Sequence, residues 1–328
     1  MNRTVWAWLR PAAAVATLAV VVWRLGAGPF RDGVHAVDGQ ALVAAAGIGA
    51  LTTVCCAWRW TIVARGLGVD LPLPSAVAAY YRSMFLNLTL PGGVVGDVHR
   101  GVSHGRDVHD VGRGLRAVAW ERTAGQVVQI VLTVVVLLAL PSPVQPAMPL
   151  AVLAVLAVVA VVIGIAVACR TQTGRRGSRW ARVRSAVAGD VRDGLLARKA
   201  LPAIALASAV VVLGHAVTFL IAARTAGATA PASRMLPLAM LAMLAMVLPS
   251  VAGWGPREGG TAWAFGAAGL GAEQGVATAV VYGVMVLVAS LPGALVLAAA
   301  WLPHARRPRR PESPLPCRAP VVDGAGDG

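Results

Sequence analysis

Lysine occurs once in this chain, acidic side chains 14 times, and charged residues of every kind make up 13% of it. So little charge beside 57% hydrophobic residues and a mean hydropathy of +0.71 excludes a water-soluble domain, which would have to expose a very large apolar surface. Aromatics are also few, at 5%, and none is interleaved with a basic patch on a soluble segment, so the net charge of +15 does not mark a nucleic-acid partner. The four cysteines, Cys55, Cys56, Cys169 and Cys317, are scattered, and three lie in or beside apolar runs, as small hydrophobes do. Missing too are a Gly-x-x-x-x-Gly-Lys-Ser/Thr phosphate loop, a Gly-x-Ser-x-Gly elbow and a His-Glu-x-x-His zinc site. No catalytic residue, cofactor or metal is assigned, and ATP hydrolysis has no site. The cluster His99, His104, Asp107, His109, Asp110 has five-residue steps that suit no single helical face, and it reads as a solvated cytoplasmic loop.

What is abundant is alanine, valine and arginine. Arginine supplies 28 of the 29 basic residues (29 less the single lysine), a coding bias that points to a bacterial source. These arginines sit at the ends of apolar runs, where they orient helices and meet anionic lipid headgroups. Six runs are long enough to cross a bilayer: Trp6 to Gly26, Gln40 to Val63, Ala117 to Leu140, Pro149 to Cys169, Ala200 to Ala223, and Gly275 to Leu302. The first lacks a small-residue cleavage site, so an uncleaved span is expected. The chain therefore reads as an all-α polytopic membrane protein with one transmembrane domain over residues 1–302. A basic loop at 170–199 and a disordered Pro- and Arg-rich tail at 303–328 complete it.

Two further apolar stretches, Ser75 to Val95 and Met235 to Ala272, are interrupted alike. Each runs into Leu-Pro, then glycines, then charge: Pro91, Gly92, Gly93, Gly96, Asp97 and Arg100 in one, Pro249, Gly253, Gly255, Arg257 and Glu258 in the other. Proline removes a backbone donor and glycine loosens a helix, so each is a helix break at membrane depth, tolerated only where protein or a wet cavity surrounds it. Nine basic residues between Arg170 and Lys199, and the arginine tail, mark cytoplasmic segments, as do Arg100, Arg106, Arg113 and Arg116. Those assignments hold if each broken stretch is a hairpin, the two entering from opposite faces in an inverted repeat with both termini cytoplasmic. Two kinked but complete helices, giving eight spans, keep the termini inside as well.

Paired breaks in two halves of a membrane protein point to a transport site. A charge near the bilayer centre costs about 2.5 to 3.5 kcal/mol, so Asp97, Arg100, Arg257 and Glu258 are expected to face one another or a polar cavity. Glu121-Arg122 opens the third span after Trp120, either as partners for Asp97 and Arg100 or as interfacial anchors. Arg82 lies inside the first hairpin, shaped to fork onto a phosphate or to snorkel.

The run Asn87-Leu88-Thr89-Leu90-Pro91-Gly92-Gly93-Val94-Val95-Gly96-Asp97-Val98-His99-Arg100, then Glu121-Arg122, then Leu248-Pro249 through Gly253-Trp254-Gly255-Pro256-Arg257-Glu258-Gly259 resembles the lysylphosphatidylglycerol synthase transmembrane, or flippase-like, family, over roughly Leu42 to Leu302. Members carry this membrane domain alone or fused to an aminoacyl-transferase domain. Here a short tail stands in place of that domain, so synthase activity is not expected. The first motif has Val94-Val95-Gly96 where a further glycine is more usual, and Trp254 separates the glycines of the last. The resemblance implies translocation of a polar or charged phospholipid, or a lipid-linked molecule, across the bacterial cytoplasmic membrane. Its site would be Arg82, Asn87, Pro91, Gly92, Gly93, Gly96, Asp97, Arg100, Glu121, Arg122, Pro249, Gly253, Gly255, Arg257 and Glu258. The alternative is a membrane subunit or partner of a lipid-modifying glycosyl- or aminoacyl-transferase. Membrane lipids are the expected partners; a homo-oligomer and a separate transferase remain open.

Overall fold

A computed structural model describes residues 23, 28–90, 93–147, 189–190, 194, 197, 200–247 and 254–305. The elements among them are helices: α1 (Gly28–His35), α2 (Gly39–Gly66), α3 (Leu73–Thr89), α4 (Val95–Asp107), α5 (Val111–Ala139), a short 3-10 turn (Gln145–Ala147), α6 (Ala200–Thr225), α7 (Ala232–Ala245), α8 (Pro256–Ala267) and α9 (Ala272–Ala305). Four of them, α2, α5, α6 and α9, are long and apolar enough to cross a membrane and coincide with four of the six expected spans. The first expected span apart from Trp23, the fourth, most of the basic loop and the tail beyond Ala305 lie outside the described residues.

α5 begins six residues before the expected Ala117. Asp110 accepts a hydrogen bond from the Arg113 backbone N–H at 2.8 Å and so starts the helix there, which places Arg113 and Arg116 on its first turns rather than in a loop. The loop expected around His99 and His104 is also helical. His104 is buried with its ring edge-on to Trp60, centroids 5.5 Å apart, because α4 continues to Asp107 once Gly101 and Gly105 let it lie flat against α5.

Both interrupted stretches fold back on themselves. α3 and α4 are 17 and 13 residues, α7 and α8 are 14 and 12, each shorter than a full crossing. Ser83 on α3 donates to Asp97 on α4 across 14 residues of sequence, at 3.1 Å. In a merely bent rod, seven residues to either side of a break would end roughly 20 Å apart. A methyl group on Gly260 of α8 would likewise touch Ala245 of α7, 2.5 Å away. These are helical hairpins.

α9 joins the hairpins. Its Gly293 rests on the Tyr81 carbonyl of α3, and its Gly275 rests on Thr261 and Ala262 of α8. α2 and α6 pack where Gly214 meets Ile48 and Thr52. One apolar core collects Phe219, Met235, Leu238, Phe265, Tyr282 and Met285, and a second collects Trp60, Val69, Leu71, Tyr80 and Ala117. Outside, Val127, Val131, Val135 and Leu138 form an exposed apolar stripe along α5, as a lipid-facing helix requires.

Candidate functional site

The first hairpin is built around its turn. Gly93 has φ +65°, a conformation that favours glycine, and it delivers the chain into α4. Gly96 then lies against α3 so closely that its N–H donates to Asn87 Oδ1 at 2.7 Å, while Asn87 Nδ2 donates to Asp97 Oδ2 at 3.1 Å. Asp97 thus sits in the first turn of α4, where free backbone N–H groups favour a negative charge. One turn on, Arg100 donates Nε to Asp97 at 3.1 Å and Nη2 to Glu121 Oε2 on α5 at 2.7 Å. Its guanidinium lies 4.2 Å from the Tyr80 ring centre and 4.6 Å from that of Trp60, with 1% of the residue exposed.

Glu121 is the hub. It is fully buried and accepts from Arg100, from both Nε (3.0 Å) and Nη2 of Arg59 on α2, and from the Tyr80 hydroxyl at 3.3 Å. Arg59 also donates Nη1 to Ser208 on α6 at 2.9 Å, crossing α5 over Gly125, where any side chain would displace it. Arg122, the next residue, pairs with Asp97 Oδ2 at 2.7 Å. The third-span pair and the first-hairpin pair are therefore directly bonded. Removing one member of such a buried set leaves its partners uncompensated, at a cost of about 3 to 5 kcal/mol.

The second hairpin repeats the logic more compactly. Gly255 has φ +110° and donates its N–H to Glu258 Oε2 at 2.7 Å, so the carboxylate caps the helix it belongs to. Arg257 grips the other oxygen, with Nε at 2.8 Å and Nη2 at 2.5 Å from Glu258 Oε1. The guanidinium lies across Gly283 of α9, 5.2 Å from the Trp254 ring centre and 5.8 Å from that of Tyr282. The Tyr282 hydroxyl in turn meets His215 Nδ1 of α6 at 2.9 Å.

Both hairpins open onto one cavity of about 300 Å³, reached by Gly93 from the first turn and Pro256 from the second. Its polar wall includes Arg59, Arg122, Gln126, Gln129, His215 and Arg257. Of the expected site residues, Asn87, Gly93, Arg122 and Arg257 line the cavity, and Gly96, Asp97, Arg100, Glu121, Gly255 and Glu258 stand behind it. Arg82 does not line it. Tyr80, Ser83 and Asn87 share one face of α3, and a residue two positions from Tyr80 points the other way. Pro91, Gly92, Pro249 and Gly253 lie outside the described residues.

Sequence reasoning passed over Arg59, Ser208, His215 and Tyr282. Arg59 lies four residues from the expected end of its span, Val63, and resembles a snorkelling anchor. His215, well inside Ala200 to Ala223, carried the clearer signal, an ionisable group at membrane depth.

No curated protein matches the chain. The family described as lysylphosphatidylglycerol synthase TM region matches residues 8–293, nearly the whole sequence, and the chain belongs to that family.

Proposed function

We propose that this protein moves a polar or charged phospholipid, or a lipid-linked molecule, between the leaflets of the bacterial cytoplasmic membrane. The observation that carries this reading is the open cavity reached by both helix breaks and lined, among the described residues, by arginines of both halves. Bilayer lipid cannot satisfy a broken helix or a guanidinium, whereas a passing headgroup can. The headgroup travels through the cavity while its acyl chains stay among lipid against the apolar outer faces. In this reading the hairpins enter from opposite faces, six spans cross, and both termini are cytoplasmic.

The test is the full chain in sealed vesicles carrying traces of headgroup-labelled phosphatidylglycerol, lysylphosphatidylglycerol or phosphatidylethanolamine. At least one lipid should change leaflet faster than in protein-free vesicles. Arg257→Ala and Glu258→Ala should each slow it by about tenfold or more, the scale of a lost charge-assisted bond. Equal rates for parent and variants on every lipid overturn the proposal. An Arg113→Cys variant should label from the cytoplasmic side alone.

A further inference from the structure

We propose that the cavity selects a headgroup of net negative charge, a phosphate without a compensating ammonium group, and that Arg122 with Arg59 is where it binds. This rests on the cavity being a lipid pathway, and it adds which lipids pass.

The charges do not balance. The first cluster holds Arg59, Arg100 and Arg122 against Asp97 and Glu121, one positive charge in excess, whereas Arg257 and Glu258 cancel. Their placement sharpens the asymmetry. Arg59, Arg122 and Arg257 all reach the cavity wall, while among the described residues no carboxylate does, Glu121 and Glu258 being 0% exposed behind it. A headgroup ammonium would meet three cations and no counter-charge. A phosphate would meet planar guanidinium donors shaped to fork onto its oxygens.

Arg122 is the best-placed donor. Its side chain is 45% exposed, against 5% for Arg59 and 4% for Arg257, and Asp97 engages its Nη2, leaving further N–H groups for a ligand. One turn along α5, Gln126 presents a buried Oε1 that has no hydrogen-bond partner among the described residues. An acceptor without a donor suits a hydroxyl beside the phosphate.

The experiment uses the full chain in phosphatidylcholine vesicles with labelled phosphatidylglycerol or lysylphosphatidylglycerol. Phosphatidylglycerol should move about tenfold faster or more, the worth of one good charge contact. Arg122→Gln should remove that preference and Arg122→Lys should retain it. Gln129→Glu places a carboxylate on the wall at a residue that holds no partner among the described residues, and should shift the preference toward lysylphosphatidylglycerol without touching the ion-pair cluster. Equal movement of the two lipids by the parent, or an unchanged preference in Gln129→Glu, overturns the anion selectivity while lipid transport stands. A separate arm measures thermal unfolding of the detergent-solubilised chain with glycerol phosphate or inorganic phosphate. A rise lost in Arg122→Gln, with no lipid moved, keeps the anion site but overturns the lipid reading. No movement and no rise overturn both.

Discussion

Gly96 lies so close to Ser83 that a methyl group on it would come within 2.0 Å of the Ser83 carbonyl oxygen. The clash is with backbone, so a turn of a side chain cannot relieve it.

Gly96→Ala should therefore pry the two arms of the first hairpin apart. Overpacking of this kind costs about 1 to 3 kcal/mol, and it would also pull the α4 backbone from Asn87. Thermal unfolding in detergent should fall by several degrees. Gly47→Ala on α2, where nothing lies within 4 Å, should unfold no lower than the parent.

Glu121→Gln should be among the most damaging single changes in the chain. It leaves Arg59 and Arg100 buried without their shared anion, at about 3 to 5 kcal/mol. Adding Arg59→Met to Glu121→Gln should recover part of the loss, because one stranded charge goes with it. A double variant no more stable than Glu121→Gln alone would show that Arg59 is not held by that carboxylate.

How much of this was legible in advance varied with the physics. Four described spans and both breaks can be read from apolar length and proline-glycine runs, whereas the sequence left Glu121-Arg122 with two readings, partners of Asp97 and Arg100 or interfacial anchors, and the structure selects the first. Arg59 could not be placed so easily, because a basic residue near a span end is common and its carboxylate lies 62 positions away. Arg82 misled for the opposite reason: it falls inside a hairpin, yet facing is set by 100° steps around α3, which proximity in sequence does not reveal.

Gly125→Ala separates the cavity from the fold. The added carbon would fall 2.8 to 3.0 Å from the Arg59 guanidinium, at the far end of a flexible side chain. Stability should fall by about 1 to 3 kcal/mol, less than for Glu121→Gln, while the displaced guanidinium lowers the rate of headgroup movement several-fold. An unaltered rate would place Arg59 outside the path.

Tyr282→Phe removes the hydroxyl that His215 meets and should cost about 0.5 to 1.5 kcal/mol, read as a small drop in unfolding temperature. Combined with His215→Ala, the two losses should not add, since both delete the same bond.

The two sets of ion pairs differ in what they fasten. Through Arg59, Tyr80, Arg100 and Glu121, the first ties α2, α3, α4 and α5 together, so displacing any one of these helices breaks a buried charge contact. In the second, both partners are neighbours on α8, and that helix can slide or tilt with its neutrality intact. One half of the protein is bolted to its surroundings by charge and the other carries its counter-charge with it, so ion pairing opposes displacement of the first hairpin and not of the second.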